Sequence, residues 1–110
     1  MANTFKNAVS SAIGTSQTSV YTVPESTTTT VIGLTVANIT ASAIAVDVVI
    51  TDTSGGTSVY LVKGATVPVG GALVPVGGDQ KIVLETTDII KVTSDTASSA
   101  DVIVSVLEQS

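Results

Sequence analysis

Residues Thr28–Asp52 read TTTVIGLTVANITASAIAVDVVITD, and this stretch decides the fold class. In Thr28–Asn38, Ile32, Leu34 and Val36 fall on one face, with Thr35 and Ala37 on the other. In Ala43–Asp52, Ile44, Val46, Val48 and Ile50 face inward and Asp47 outward. A period of two is that of a half-buried strand. Asn38–Ser42 forms a turn between the runs, which read as an antiparallel pair with one buried face. Gly33 inside the first run signals a bulge or a close backbone approach.

The same pattern extends in both directions. Upstream, Thr18–Val23 is a short strand stopped by Pro24, and Glu25–Thr27 a turn. Met1–Gln17 places Phe5, Val9 and Ile13 four residues apart with Ser and Gly between them, and reads as an arm or short edge strand. Its Phe5 either plugs the domain's own core or docks on a neighbour. Downstream, Thr53–Gly56 is a turn and Ser58–Lys63 a strand carrying Tyr60.

Val67–Val92 opens on a repeat: Val67-Pro68-Val69-Gly70-Gly71 recurs as Val74-Pro75-Val76-Gly77-Gly78. Proline removes a ladder donor, so each copy marks a strand start, edge or bulge. The glycine pairs supply the positive φ angles of tight turns. Gln80–Glu85 and Asp88–Thr93 are strands joined at Thr86-Thr87. After the polar turn Ser94–Ser99, Ala100–Glu108 is a final strand that is apolar on both faces, hence central or covered by a partner. About eight strands at this spacing define an all-β, antiparallel β-sandwich of Greek-key or jelly-roll type. The expected division is an N-terminal arm or edge strand over 1–17 and one sandwich domain over 18–110.

Composition supports this. The 110 residues include 19 Val, 9 Ile and 18 Thr against 5 Leu and 1 Met. Branching at Cβ suits a pleated sheet better than a helix. A chain of this length buries roughly two thirds of its unfolded surface, enough for one core without staples. Apolar residues reach 44% and charged residues only 12%, so some apolar surface is expected to meet a neighbour, as in a homo-oligomer.

Several functions are disfavoured. Net charge is −5 and the four cations are Lys6, Lys63, Lys81 and Lys91, without Arg, so no phosphate-neutralising patch is expected and no nucleic-acid partner. The chain has no Cys and no His, hence no disulfide, no thiolate chemistry and neither the commonest general base nor the commonest zinc ligand. No apolar run approaches the ~20 residues of a membrane-spanning helix, and the N-terminus does not read as a signal peptide. The expected location is the cytoplasm or a particle assembled there.

Three motifs invite chemistry. Asp52-Thr53-Ser54-Gly55 resembles the Asp-Thr-Gly of dimeric aspartic proteases, which pair two carboxylates around one proton. The intervening Ser54 shifts the turn that would aim the carboxylate, and a hairpin turn is the simpler reading. Asp47, Asp52, Asp79, Asp88, Asp95 and Asp101 could offer oxygens to calcium, but they are scattered without D-x-D-x-D spacing and read as turn residues. A carbohydrate site would rest on exposed aromatics, of which only Phe5, Tyr21 and Tyr60 exist. No catalytic, cofactor or metal residue is therefore assigned.

The order of segments carries a resemblance. MANTFKNA leads to VYTVP, then TTTVIGLxVAN, DTSGG, YLVK, LVPVGGDQKIVL, IIKVxS and ADVIVSVLE. This is similar to the small β-rich virion structural proteins of tailed bacteriophages, particularly of marine and cyanobacterial phages. It spans Met1 to Glu108, and Leu73–Leu84 is its most specific part. One departure is Thr87-Asp88, where such proteins commonly carry Gly-Asp before the penultimate strand. The resemblance implies a non-enzymatic virion component without cofactor: a capsid decoration (cement) protein bound to the major capsid protein, or a neck or tail piece. A free carbohydrate- or receptor-binding module is the alternative. The expected lattice contacts are the arm, with Phe5, Val9 and Ile13 as apolar contacts and Lys6 at the rim, and the turns at Gly70-Gly71 and Gly77-Gly78.

Overall fold

The structure, a computed structural model, describes residues 2–77 and 80–110. Gly78 and Asp79, named above, lie outside the described residues. The strands are β1 (Asn3–Ile13), β2 (Thr18–Thr22), β3 (Thr28–Asn38), β4 (Ile44–Asp52), β5 (Thr57–Val67), β6 (Ala72–Val76), β7 (Ile82–Leu84), β8 (Ile89–Ser94) and β9 (Ala100–Gln109). Among the described residues there is no helix, and so none long and apolar enough to cross a membrane.

Two antiparallel sheets pack face to face. Sheet I has the order β1-β9-β3-β6, with β7 also on β3. Sheet II has the order β2-β8-β4-β5. β6 pairs with Leu34–Ala37 of β3 and β7 with Thr29–Val31, so the two are successive pieces of one edge. With that edge counted once, the described residues fill eight positions, four in each sheet. This is the jelly-roll order, which periodicity alone had left undecided.

The order corrects two pairings. β3 and β4 do not form a hairpin: β3 lies between β9 and β6/β7, and β4 between β8 and β5. Likewise β7 and β8 belong to opposite sheets. The turns at residues 39–43 and 85–88 are arches across the sandwich. Asn38 shapes the first of these. Its buried amide Nδ2 donates to the carbonyls of Ser42 (2.7 Å), Val67 (3.1 Å) and Pro68 (3.3 Å), while its Oδ1 accepts from Thr40 N–H (2.8 Å).

The core is aliphatic: Val31, Leu34 and Val36 of β3 and Val102, Val104 and Val106 of β9 meet Ile44, Val46 and Val48 of β4 and Ile90 and Val92 of β8. Tyr21 is the one aromatic among the buried residues. Ile32, expected inward, gives way to Val31. The pairing of β3 with β9 shifts register between Val31 and Gly33, and this bulge flips the alternation before Leu34. No buried side-chain nitrogen or oxygen among the described residues lacks a hydrogen-bond partner.

Candidate functional site

The N-terminal stretch is edge strand β1, paired in unbroken register from Asn3↔Gln109 to Ser10↔Val102 on β9. Side chains two apart share a face of a strand, so Phe5, Asn7 and Val9 point outward. Phe5 is 76% exposed and Val9 67%, which rules out Phe5 as a plug for the domain's own core.

The register carries this face across sheet I. Phe5 stands opposite Leu107, Leu107 opposite Thr30, and Thr30 opposite Val83. Two residues along, Asn7 meets Ser105 and Ser105 meets Gly33. Next, Val9 meets Ile103 and Ile103 meets Thr35. Two apolar rungs thus flank a small polar one, with Ile103 43% and Val83 65% exposed. Between β1, β9 and β3 lies a shallow concavity of about 390 Å³ whose lining includes Val9, Ser11, Thr35, Ala37, Asp101 and Ile103. Asp101 is the one charged residue of that lining, and its Oδ1 accepts the Ala12 N–H at 2.9 Å.

Two expected contacts do not join this face. Ile13 is 2% exposed. Had the strand run straight, Phe5, Val9 and Ile13 would share a side, but the register shifts between Ser10 and Ile13, and Ala12 takes a φ of 54°. The shift turns Ile13 into the core, where its carbonyl accepts the Ser99 N–H (2.9 Å). Lys6, adjacent to Phe5, takes the opposite face and pairs with Glu108 (Nζ–Oε2 3.7 Å), so it is not at the rim of the apolar surface.

Glu108 also accepts the Tyr21 phenol proton (2.6 Å), and the phenol oxygen lies 2.9 Å from Thr29 Oγ1. Burial, then the Glu108 carboxylate, pushes the Tyr21 pKa up to about 12. This cluster ties β2 of sheet II to β1, β3 and β9 of sheet I. Sequence reading missed it, and only the Tyr at an alternating position hinted at it.

The glycine turns lie at the other edge of sheet I. Gly70 has a φ of 72°, and the Gly71 N–H donates to Pro68 C=O at 3.0 Å. A Cβ on Gly71 would stand 2.8 Å from Pro68 Cγ, and one on Gly77 3.0 Å from Val74 Cγ1. The close approach at both glycines is therefore made by this chain's own side chains.

One grouping was invisible in the sequence. Asp52, Glu85 and Asp88, scattered along the chain, offer carboxylate oxygens within 4.8 Å of one another. Among the described residues, these three could present oxygens to a hard cation. Two of the three also have work in the turns: Asp88 accepts Thr53 N–H (3.1 Å) and Glu85 N–H (2.9 Å), and Asp52 Oδ1 accepts the Ser54 hydroxyl and the Gly55 N–H, both at 2.9 Å. The Gly55 N–H, and then the Ser54 hydroxyl, hold the Asp52 carboxyl below its ordinary value. Through these two bonds Asp52 closes the hairpin turn as an acceptor.

No protein-family model matches the chain, and no curated protein matches it in sequence.

Proposed function

We propose that the chain is a non-enzymatic structural module of a tailed-phage virion, a capsid decoration protein that docks on the particle lattice through the outer face of sheet I. The observation that carries this reading is that face: Phe5, Val9, Ile103 and Val83 stand exposed on one continuous surface. An apolar patch of this kind on a small domain marks an interaction surface. The resemblance across nearly the whole sequence points to the same class. Jelly rolls serve in viral capsid domains, although fold alone does not assign function. Lattice avidity sums many weak identical contacts, so no single anchoring hot spot is required.

The test is reconstitution. Particles lacking the protein are incubated with the wild type or with the pair Phe5→Ser and Val9→Ser, and bound copies are counted by quantitative mass spectrometry. The wild type binds at high copy number and the double variant does not. If the wild-type chain is absent from mature particles and does not bind them, the reading fails and a free binding module takes its place. Binding confined to the neck or tail moves the module to that position.

A further inference from the structure

Three of the four sheet edges carry features that discourage another strand from adding. β6 and β7 are pieces of five and three residues, with Pro75 inside β6. β2 has five residues and a register shift between Ser19 and Tyr21. β5 is long, but its pairing with β4 shifts twice, Gly64 has a φ of 64° and Lys63 stands beside it. Short strands, prolines, bulges and lysines are the usual means of blunting an edge. β1 is different. Its eight residues Asn3–Ser10 run in one register without proline or acidic residue, and its single charge, Lys6, is engaged with Glu108.

The hydrogen-bond parity shows what that edge presents. Ala2 and Ser110 exchange both N–H···O bonds, at 2.9 and 3.0 Å. Antiparallel pairs alternate between bonded and non-bonded, so Thr4, Lys6, Ala8 and Ser10 spend their backbone groups on β9. The N–H and C=O groups of Asn3, Phe5, Asn7 and Val9 point away from the sheet.

We propose that this edge pairs with the same edge of a second copy, β1 against β1 antiparallel about a twofold axis at Asn7, joining the two copies' sheets I into one. The pattern is self-complementary, as a twofold interface requires. Asn7 meets its own copy, Phe5 meets the second copy's Val9, and Val9 meets the second copy's Phe5. All of these residues have free backbone groups, so the three pairs form roughly six main-chain bonds. Lys6 falls opposite the second copy's Ala8 and not opposite its own equivalent. The Phe5–Leu107 rung of one copy then continues into the Val9–Ile103 rung of the other, which doubles the apolar face. The dimer is a property of the isolated chain and stands or falls separately from the virion reading.

The test combines sedimentation with residue-resolved amide exchange on the full chain. The wild type sediments with twice the chain mass, and the Phe5, Asn7 and Val9 amides become protected as concentration rises, whereas those of Lys6 and Ala8 are protected throughout. Asn7→Pro removes a free N–H without touching the ladder to β9, and gives a folded monomer. F5K with V9K places like charges opposite each other and weakens the dimer about tenfold or more. F5K with V9E places opposite charges there and restores it. A wild type that stays monomeric at millimolar concentration overturns the proposal. So does a dimer indifferent to both the proline and the charge pairs, or one that leaves the Phe5, Asn7 and Val9 amides exchanging freely.

Discussion

The two outer faces of the sandwich treat their apolar residues differently. On sheet II, Val49 points outward, yet it is only 6% exposed. Its ladder neighbours are Lys91 on one side and Tyr60 on the other. Lys63 lies 4.8 Å over the Tyr60 ring and 3.6 Å from Asp47. Long side chains cover apolar surface with their stems and keep their charges in water, so Val49 is covered, although Tyr60 itself stays 56% exposed. Around Val49 stand Thr51, Ser58 and Thr93. On sheet I, Phe5, Val9 and Ile103 have Asn7, Ser105 and Thr35 as ladder neighbours, all too short to cover them. The central apolar residue of one face is covered by its own chain, and Ile103, central on the other, is 43% exposed.

The largest effect that tests this contrast is on docking. Ile103→Asp, in the middle of sheet I's outer face, is expected to lower particle occupancy at least about tenfold, since a buried unpaired charge costs well over 1.4 kcal/mol at an interface. Thr93→Asp, the matching change on sheet II, leaves occupancy unchanged. Equal losses from both, counted by mass spectrometry, would remove the distinction between the faces.

A second test concerns what holds the faces together. Tyr21 is buried, and its pKa rises from 10.0 to about 12. The neutral phenol is the form that folding favours. Its contribution is therefore fully present below pH 10 and is lost as pH rises through about 12. The shift corresponds to something on the order of 2–3 kcal/mol. In a Tyr60→Phe background, absorbance follows Tyr21 alone, and unfolding in urea across that window reports the stability. Tyr21→Phe should flatten the alkaline decline; an unchanged decline would mean that other groups cause it.

Truncation gives a smaller effect. Val49→Ala removes two methylene equivalents from a covered site and should cost about 1.5 kcal/mol. Phe5→Ala removes a larger side chain from an open one and should change stability by less than about 0.5 kcal/mol. Urea midpoints in monomeric Asn7→Pro protein compare the two without interference from association. A Phe5 cost as large as that of Val49 would show that the ring packs on its own chain.

Much of this was legible in the alternation. The bounds of β3 were readable from Thr28–Asn38, and the two-faced Ala100–Glu108 was narrowed to a strand either central or covered by a partner. The sheet order was not, because a period of two tells which face a residue takes and nothing about which strand lies beside it. The first bulge misassigned Ile32, since it reverses parity in the middle of a run. Spacing misled at the N-terminus: intervals of four keep Phe5, Val9 and Ile13 together on either a helix or a strand, and only the shift near Ala12 separates them. Lys6 could have been placed correctly, because neighbours in a strand face opposite ways. The grouping of Asp52 with Glu85 and Asp88 depends on where an arch and a hairpin tip meet, which no local pattern encodes.

The smallest expected effect concerns that tip, and it separates turn chemistry from catalysis. The Asp52 carboxyl lies below its ordinary value because the ionised form accepts the Gly55 N–H and the Ser54 hydroxyl. A carboxyl depressed by folding contributes stability above its unfolded value of 3.8, and that contribution disappears as pH falls through the folded value. Asp52→Asn keeps an oxygen to accept both bonds but cannot titrate. Stability at neutral pH should therefore change little, and the loss of stability on acidification below about pH 4 should become slightly shallower. Asp95, held low chiefly by the Ala45 N–H, continues to supply part of that slope in the variant. Thermal melts from neutral to acid pH measure both limbs. Peptide hydrolysis present in the wild type and lost in Asp52→Asn, with the melts unchanged, would assign Asp52 to chemistry and not to the turn.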